Sequence, residues 1–338
     1  MKAIVIQAHG SADALRYEEV ATPEPGPDEV LVKVHAVSVN RTLDLAVREG
    51  TYARKVALPH VIRTDPSRVV AALGMDVNGW KIGDRVTVGA WGHATAATKG
   101  LQIPGVHAWG GYAEYIKVPQ EAIKPVPEGL DFPTATVVAR HAPTAYFQLQ
   151  SQADLKPGEW VLVMGAAGGL GSMAVQVAKL LGAQVIGAAG ADERVAQITA
   201  LGADAAVNYR KHDLTEEVRR ITDGKGVNIV LENIGDPDLF PKAFKSLARG
   251  GRLITAGGHG GGQVMLDVNF LYLNQNRIIG GTGGRPGAYE ASMEAAKAGK
   301  LKANIGRILP LSNAAEAHRL VASRTVNGKV ILDPTKSP

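Results

Sequence analysis

The chain has 338 residues, 45% hydrophobic and 20% charged, with 37 basic against 32 acidic residues and a formal charge of +5. That length and balance fit a soluble protein of two domains with a large core, and the absence of cysteine excludes disulfides, thiolate catalysis and cysteine zinc sites. The charges are interspersed, so no nucleic-acid or membrane-binding arm is indicated, and neither a signal peptide nor a membrane span is seen. A cytoplasmic protein is expected.

In chain order, residues 1 to about 125 read as short Val- and Ile-rich strands, "KAIVIQ", "EVLVKVHAVSV", "SRVVAALG", "DRVTVGAW" and "YAEYIKV", punctuated by "PEPGPDE" and "KIGD". This pattern predicts an antiparallel β domain. From about 156 the rhythm becomes apolar strand, Gly-rich turn and amphipathic helix, through "WVLVMG", "AQVIGAA", "NIVLENIG" and "GRLITAGG", which predicts an α/β domain with a doubly wound parallel sheet. The end of the chain offers a helix and a lone strand, "KVILD". Such a strand needs a sheet to join, and it is assigned to the first domain. The expected domains are 1–125 with 305–338, and 126–304.

The stretch "GAAGGLGSMAVQVAKLLGAQVIGAAG" starts at Gly165. It places Ala166, Gly168 and Gly171 at the three positions of a G-x-G-x-x-G turn, with alanine replacing the first glycine. Gly168 and Gly169 let the backbone approach a pyrophosphate, and the amides of the helix start, from Ala167 to Leu170, supply a positive end. An ordinary tight strand-to-helix turn is the plainer alternative. An acidic residue that selects NAD is expected roughly 20 residues beyond the glycines, but Ala189 and Gly190 are neutral there. Asp192 and Glu193 fall in the first turn of the next helix. A 2′-phosphate then fits beside Arg194, with Tyr209 and Arg210 closing over it, a contact worth about 1.5 to 3 kcal/mol or roughly 10- to 150-fold. NADP(H) is the expected cofactor, with a solvated Arg194 as the alternative. Asn233, Gly235, Ala256, Gly257 and Gly258 sit at strand ends, where a doubly wound sheet meets its ligand.

Together with "REGTYARKVALP", "GWKIGDRV", "GGYAEYIKVP", "PTAYFQL" and "GKVIL", these pieces resemble the medium-chain dehydrogenase/reductase superfamily, in its zinc-free quinone oxidoreductase (zeta-crystallin-like) branch. The resemblance covers nearly the whole chain. It implies a GroES-like antiparallel β domain completed by the C-terminal segment, plus a Rossmann domain. It also implies that zinc-bearing relatives carry cysteine where this chain has Asn40, and a His-Glu pair at Thr64 and Asp65. Their third ligand would fall near Ala139 or Arg140, and their structural lobe near "GHATAATKGLQIPG". No sensible ligand set remains at these positions, so no metal is expected.

The family's "PGxDxxG" segment appears as "VIRTDPSR", with Arg63 and Arg68 where glycines are usual. Either these cations recognise an acidic substrate such as a CoA thioester at the mouth of the site, or they are solvated.

The resemblance implies hydride transfer to a quinone or an α,β-unsaturated carbonyl, whose oxyanion needs a hydrogen-bond donor. It brings Asn40 and Tyr52 to that role, the alternative for Tyr52 being a half-buried strand tyrosine. Asp44 matches a family aspartate, and a helix or turn cap is an equal reading. His141 is a reserve acid, although a lone histidine is more often structural. Thr144 of "PTAYFQL" and Asn327 beside "GKVIL" are assigned to the cofactor. Two alternatives to an NADPH-dependent reductase stand: an alcohol dehydrogenase-like enzyme with a lost or altered zinc site, and a non-catalytic NADPH-binding sensor. The expected partners are a small-molecule quinone or enone and a second copy of the chain, joined through the "NRIIGGTGG" edge. A membrane or a nucleic acid is not expected.

Overall fold

The computed structural model describes residues 1–52, 54–63, 65–90, 102–281 and 283–337. Thr64 and most of "GHATAATKGLQIPG" therefore lie outside the described residues. Two compact units are seen, Met1–Ala139 with Ala303–Pro338, and Arg140–Lys302. The first unit thus takes in 126–139, which the sequence reading gave to the second domain.

The first unit opens with β1 (Lys2–Ile6) and β2 (Leu15–Glu19), an antiparallel pair. The long strand β3 (Glu29–Ser38) leads into a short helix α1 (Asp44–Glu49), which Gly50 ends in the left-handed region at φ 76. There follow β4 (Ser67–Leu73), β5 (Arg85–Val88), β6 (Tyr115–Pro119) and β7 (Ile123–Pro125), all joined by antiparallel pairings around β3. Val30, Val32 and Val34 of β3 are fully buried, each contributing about 1.5 to 3 kcal/mol on burial. Helix α2 (Phe132–Tyr146) then carries the chain across the division between the units.

The second unit alternates β8 (Trp160–Met164), α3 (Gly169–Leu180), β9 (Gln184–Ala189), α4 (Asp192–Ala200), β10 (Ala205–Asn208), α5 (Leu214–Ile221), β11 (Val227–Glu232), α6 (Leu239–Lys245), β12 (Leu247–Thr255), α7 (Val268–Leu273), β13 (Arg277–Gly280) and α8 (Ala288–Lys297). Its six strands are all parallel, in the order β10-β9-β8-β11-β12-β13. Strands covered on both faces read as unbroken apolar runs, and Val161 to Met164 are accordingly all buried. The order reverses between β8 and β11, whose carboxyl ends carry Gly165 and Asn233. Ligands bind at such a reversal in doubly wound sheets.

The chain then returns to the first unit with β14 (Ile305–Pro310), α9 (Ala314–Ser323) and β15 (Lys329–Asp333). Strand β15, the "KVILD" segment, pairs antiparallel with β3 and parallel with β14.

Candidate functional site

In the second unit, the turn after β8 is shaped by close backbone packing. Gly165 adopts φ 62, a conformation that favours glycine. A Cβ on Gly171 would lie 2.2 Å from the Gly165 carbonyl oxygen, so only glycine lets α3 come this near to β8. Ala166 is fully buried, and its methyl is accommodated because Gly187 on β9 lacks one; a Cβ there would stand 3.1 Å from it. Helix α3 has no side-chain cap at Gly168. Its first amides, from Gly169 to Gly171, are the orphan donors that every helix start leaves. With the helix dipole they suit an anion, and the turn fits the pyrophosphate of a dinucleotide.

At the end of β9, Ala189 is buried. Gly190 lies beneath the Tyr209 ring, where a Cβ would meet it at 2.9 Å. Asp192 begins α4, and its carboxylate forms an ion pair with Lys211 and accepts from Asn208 at 2.6 Å. Those two bonds hold its pKa below the ordinary value. Arg194 is half-buried on α4, and Arg210 is exposed.

The ends of β11 and β12 meet through glycines. A Cβ on Gly235 would come within 2.7 Å of Gly258 Cα, and one on Gly257 within 2.6 Å of the Asn233 carbonyl oxygen. Ala256 is half-buried beside them. The buried Oδ1 and Nδ2 of Asn233 have no hydrogen-bond partner among the described residues. Such an orphaned amide at a carboxyl strand end is what a ribose hydroxyl would satisfy. The neighbouring Glu232 turns away, accepting from the Ile234 and Gly235 amides, and burial raises its pKa. On α2, His141 and Thr144 stand three residues apart on one face. The His141 Nε2 lies 2.6 Å from where a Gly169 Cβ would be, so the imidazole leans on the phosphate turn.

In the first unit, Asn40 follows directly on β3 and is held at both its main chain and its side chain. Its amide nitrogen donates to Asp44 Oδ2 at 2.7 Å. Its Oδ1 accepts a hydrogen bond from Lys329 Nζ, which also donates to the Val39 carbonyl at 3.1 Å. An ammonium only donates, so the atom facing it must be the carbonyl oxygen. Nδ2 is left as the donor end. Lys329 escaped the sequence reading, which stopped two residues earlier at Asn327; the signal available was a lysine opening the strand that pairs beside Asn40. Asn327 itself is exposed, with its main chain packed on Gly306.

Of the two readings of Asp44, the cap fits the contacts, since its carboxylate accepts from the Asn40 amide. Asp44 is fully buried, and its carboxylate accepts from Arg63 at 3.1 Å, from the Asn40 amide and from the Tyr112 hydroxyl at 3.3 Å. It therefore positions Asn40. Behind it, Arg48 Nη1 faces His318 Nδ1 at 3.2 Å, and His318 Nε2 faces the Tyr112 hydroxyl at 3.0 Å. Because Arg48 can only donate, Nδ1 accepts and the proton of the neutral ring sits on Nε2. The Tyr112 hydroxyl is then free to donate to Asp44. Burial lowers the His318 pKa to about 4, and burial followed by Asp44 raises that of Tyr112.

Arg63 and Arg68 require a correction. Their exposures are 1% and 0%, so they are neither solvated nor at a mouth. Arg63 holds φ 102, a left-handed conformation that costs a non-glycine residue about 1 to 3 kcal/mol. It is kept there by ion pairs with Asp44 and Asp65 and by a 2.7 Å bond to Ser38. Burial opposes its charge, but those aspartates raise its pKa overall. Arg68 has no hydrogen-bond partner for Nε, Nη1 or Nη2 among the described residues; burial pushes its pKa well down, with only Asp65 opposing.

Tyr52 is half-buried in the loop after α1, not on a strand. It lines a cavity of about 280 Å³ with His9, Val47, Gly50, Arg54, Lys55 and Val56. Among the described residues, no three His, Asp or Glu side chains are grouped to hold a metal, and no helix is long and apolar enough to cross a membrane.

Two family descriptions match the chain: "Alcohol dehydrogenase GroES-like domain" over residues 26–128 and "Zinc-binding dehydrogenase" over 169–298. The chain is 32% identical to the quinone oxidoreductase of Homo sapiens, over 98% of this chain and 97% of that protein. It is 33% identical to an NAD-dependent alcohol dehydrogenase of Sulfolobus acidocaldarius, over 99% and 100%. A crystal structure of an NAD-dependent alcohol dehydrogenase superposes with a TM-score of 0.89 at 37% identity, covering 98% of this chain and 99% of that one. With the GroES-like unit, the doubly wound sheet and the glycine turn after β8 in place, the chain belongs to the medium-chain dehydrogenase/reductase superfamily of nicotinamide-dependent oxidoreductases, in its quinone oxidoreductase-like branch.

Proposed function

We propose that the protein is an NADPH-dependent reductase of quinones or α,β-unsaturated carbonyls that works without a metal. The observation that carries this reading is the orientation of Asn40. With its oxygen taken by Lys329, the amide presents N–H donors, which suit an oxyanion and do not suit a metal cation. Asp65, at the other ligand position, is engaged by Arg63 and Ser38.

A reduced nicotinamide, when bound, would supply the hydride. The turn at Gly168–Gly171 holds the pyrophosphate, and Asn233 and the glycines at 235, 257 and 258 hold the ribose side. Reduction of such a carbonyl would leave negative charge on the substrate oxygen. Asn40 Nδ2 donates to that oxyanion, and a proton from solvent or from Tyr52 completes the reduction. Thr144 and Asn327 complete the cofactor contacts. His141 supports the phosphate turn.

Arg194, with Tyr209 over Gly190, selects the 2′-phosphate, while Asp192 is neutralised by Lys211. Arg194→Gln should weaken NADPH binding by roughly 10- to 150-fold and leave NADH almost unchanged. The reading as a whole is tested by following oxidation of NADPH and NADH by metal-free protein with ortho- and para-quinones, enones and unsaturated CoA thioesters. Turnover that prefers NADPH is the expected result; a protein that reduces none of them would sink the proposal.

The alcohol dehydrogenases among the relatives favour a second reading, NAD-linked alcohol oxidation. It predicts stimulation by added zinc. We also infer a cytoplasmic homodimer joined at β13, the edge of the six-stranded sheet, where Ile278 is exposed. Light scattering at graded concentrations tests it.

A further inference from the structure

We propose that Lys329 is a positioning residue that drives the reduction through Asn40, polarising its amide so that Nδ2 becomes a stronger donor to the substrate oxyanion. This rests on the reading of Asn40 given above and extends it to a residue on the opposite end of the chain.

The pairing is built by the fold. Val39 donates its amide to the Val330 carbonyl at 2.8 Å, and Lys329 donates its own amide to Asn304 at 2.8 Å. Ile331 stands opposite Ser38 across the β15–β3 pairing. These bonds fix the start of β15 alongside the end of β3. The half-buried ammonium is thereby delivered to the Asn40 oxygen, 289 residues away in the chain.

An ammonium on an amide oxygen draws electron density from nitrogen to oxygen, and hydrogen bonds linked in a chain strengthen one another, more so where water is scarce. Asn40 is only 8% exposed. As charge grows on the substrate oxygen, the Lys329 charge is felt through a rigid amide whose main chain is separately pinned by Asp44. Lys329 thus supplies at second hand a positive charge facing an oxygen, while Asn40 makes the contact. A neutral side chain at 329 would leave Asn40 free to rotate and weaken its donation.

The test compares Lys329→Met, Lys329→Gln, Lys329→Arg, Asn40→Ala and the Asn40→Ala/Lys329→Met pair. Turnover is measured with the best acceptor, and 4-nitrophenol is titrated in the presence of the oxidised dinucleotide to read oxyanion stabilisation without catalysis. We expect Lys329→Met and Lys329→Gln to lower kcat on the order of 10- to 100-fold, with little change in the KM for dinucleotide. The ionisation midpoint of bound nitrophenol, lower than in free solution by about one pH unit in the unaltered protein, should return towards the free value. Lys329→Arg should recover most of both effects. In the Asn40→Ala background the Met substitution should add less than about twofold.

A kcat loss that persists in full without Asn40 would overturn the proposal, since Lys329 would then act by another route. So would an unchanged nitrophenol midpoint in both neutral variants. Full activity of Asn40→Ala would remove the role of Asn40 and the proposal with it. Should no quinone or enone be reduced, the reductase reading falls by itself, and the nitrophenol titration still decides for or against the Lys329–Asn40 pair.

Discussion

The phosphate turn of the second unit and the Val61–Arg68 segment of the first both depart from the family's glycines, and they absorb the change by different physics. At the turn, alanine takes the first glycine position, and the added methyl is received by the space that Gly187 leaves on the next strand. The exchange is steric and local. In the first unit, arginine takes two glycine positions, and at Arg63 the strained backbone at φ 102 is held by buried charge, through Asp44 and Asp65. The segment still packs backbone to backbone: a Cβ on Gly105 or Gly110 would meet the Arg63 main chain at 2.2 Å. A glycine position is therefore replaceable either where a neighbour yields volume or where a partner supplies enough electrostatic stabilisation to outweigh the strain.

The most severe way to break that comparison is Arg63→Met, which leaves two buried carboxylates without their shared cation. We expect a loss of about 3 to 5 kcal/mol, measured by urea unfolding. Arg63→Gly, although it relieves the backbone, should lose nearly as much. If the glycine variant were as stable as the parent, the ion pairs would contribute nothing and the strain argument would be wrong.

Next in size is a pH effect from the same cluster. His318 is held neutral among Arg48, Arg63, Tyr112 and Asp44, and its pKa drops from 6.5 to about 4. The unfolded chain therefore binds a proton that the folded chain refuses between those values. Stability is full above pH 6.5, falls as the pH drops towards about 4 and loses about 3 kcal/mol across that window. His318→Gln should flatten this part of the stability profile; an unchanged slope would remove His318 as its cause.

On the steric side, Gly171→Ala places a methyl 2.2 Å from one backbone atom and 2.8 Å from another. Overpacking of this kind costs about 1 to 3 kcal/mol. Because the displaced backbone is the turn proposed to hold the pyrophosphate, dinucleotide affinity should fall more than tenfold, a change calorimetry would detect. Normal binding would mean that the turn is not the cradle.

How far each region was legible follows from the same contrast. The doubly wound sheet and its turn are written in local periodicity, apolar run then glycines then amphipathic helix, and each piece lies within a few residues of its neighbours. The charge cluster is not local. His318 meets Tyr112 across 206 positions and Arg48 across 270, so nothing near Asp44 marks it as buried and fully bonded, and a site role and a cap stayed equal readings of it. Arg63 and Arg68 read as surface cations because arginine is seldom fully buried, and their carboxylate partners are brought to them by folding alone. Lys329 was hidden in the same way.

The smallest expected effect has the sharpest sign. Arg68 stands five residues from Arg63 in the same buried segment, with Asp65 in between, yet no hydrogen bond satisfies its guanidinium among the described residues. Its neighbours across the sheet are Val34 and Val86, both in the hydrophobic core. The desolvation of a charge placed this way exceeds what the single nearby carboxylate of Asp65 returns, and buried charges exchanged for apolar side chains of similar volume often leave a protein unchanged or more stable. Asp65 would not be orphaned by the exchange, since Arg63 and Ser38 still bond it. Arg68→Met should therefore leave the unfolding free energy unchanged or raise it by up to about 2 kcal/mol, where Arg63→Met lowers it. A drop as large as that of Arg63→Met would show that Arg68 is paired as tightly as its neighbour, and the two arginines would then be one charge network with no orphan in it.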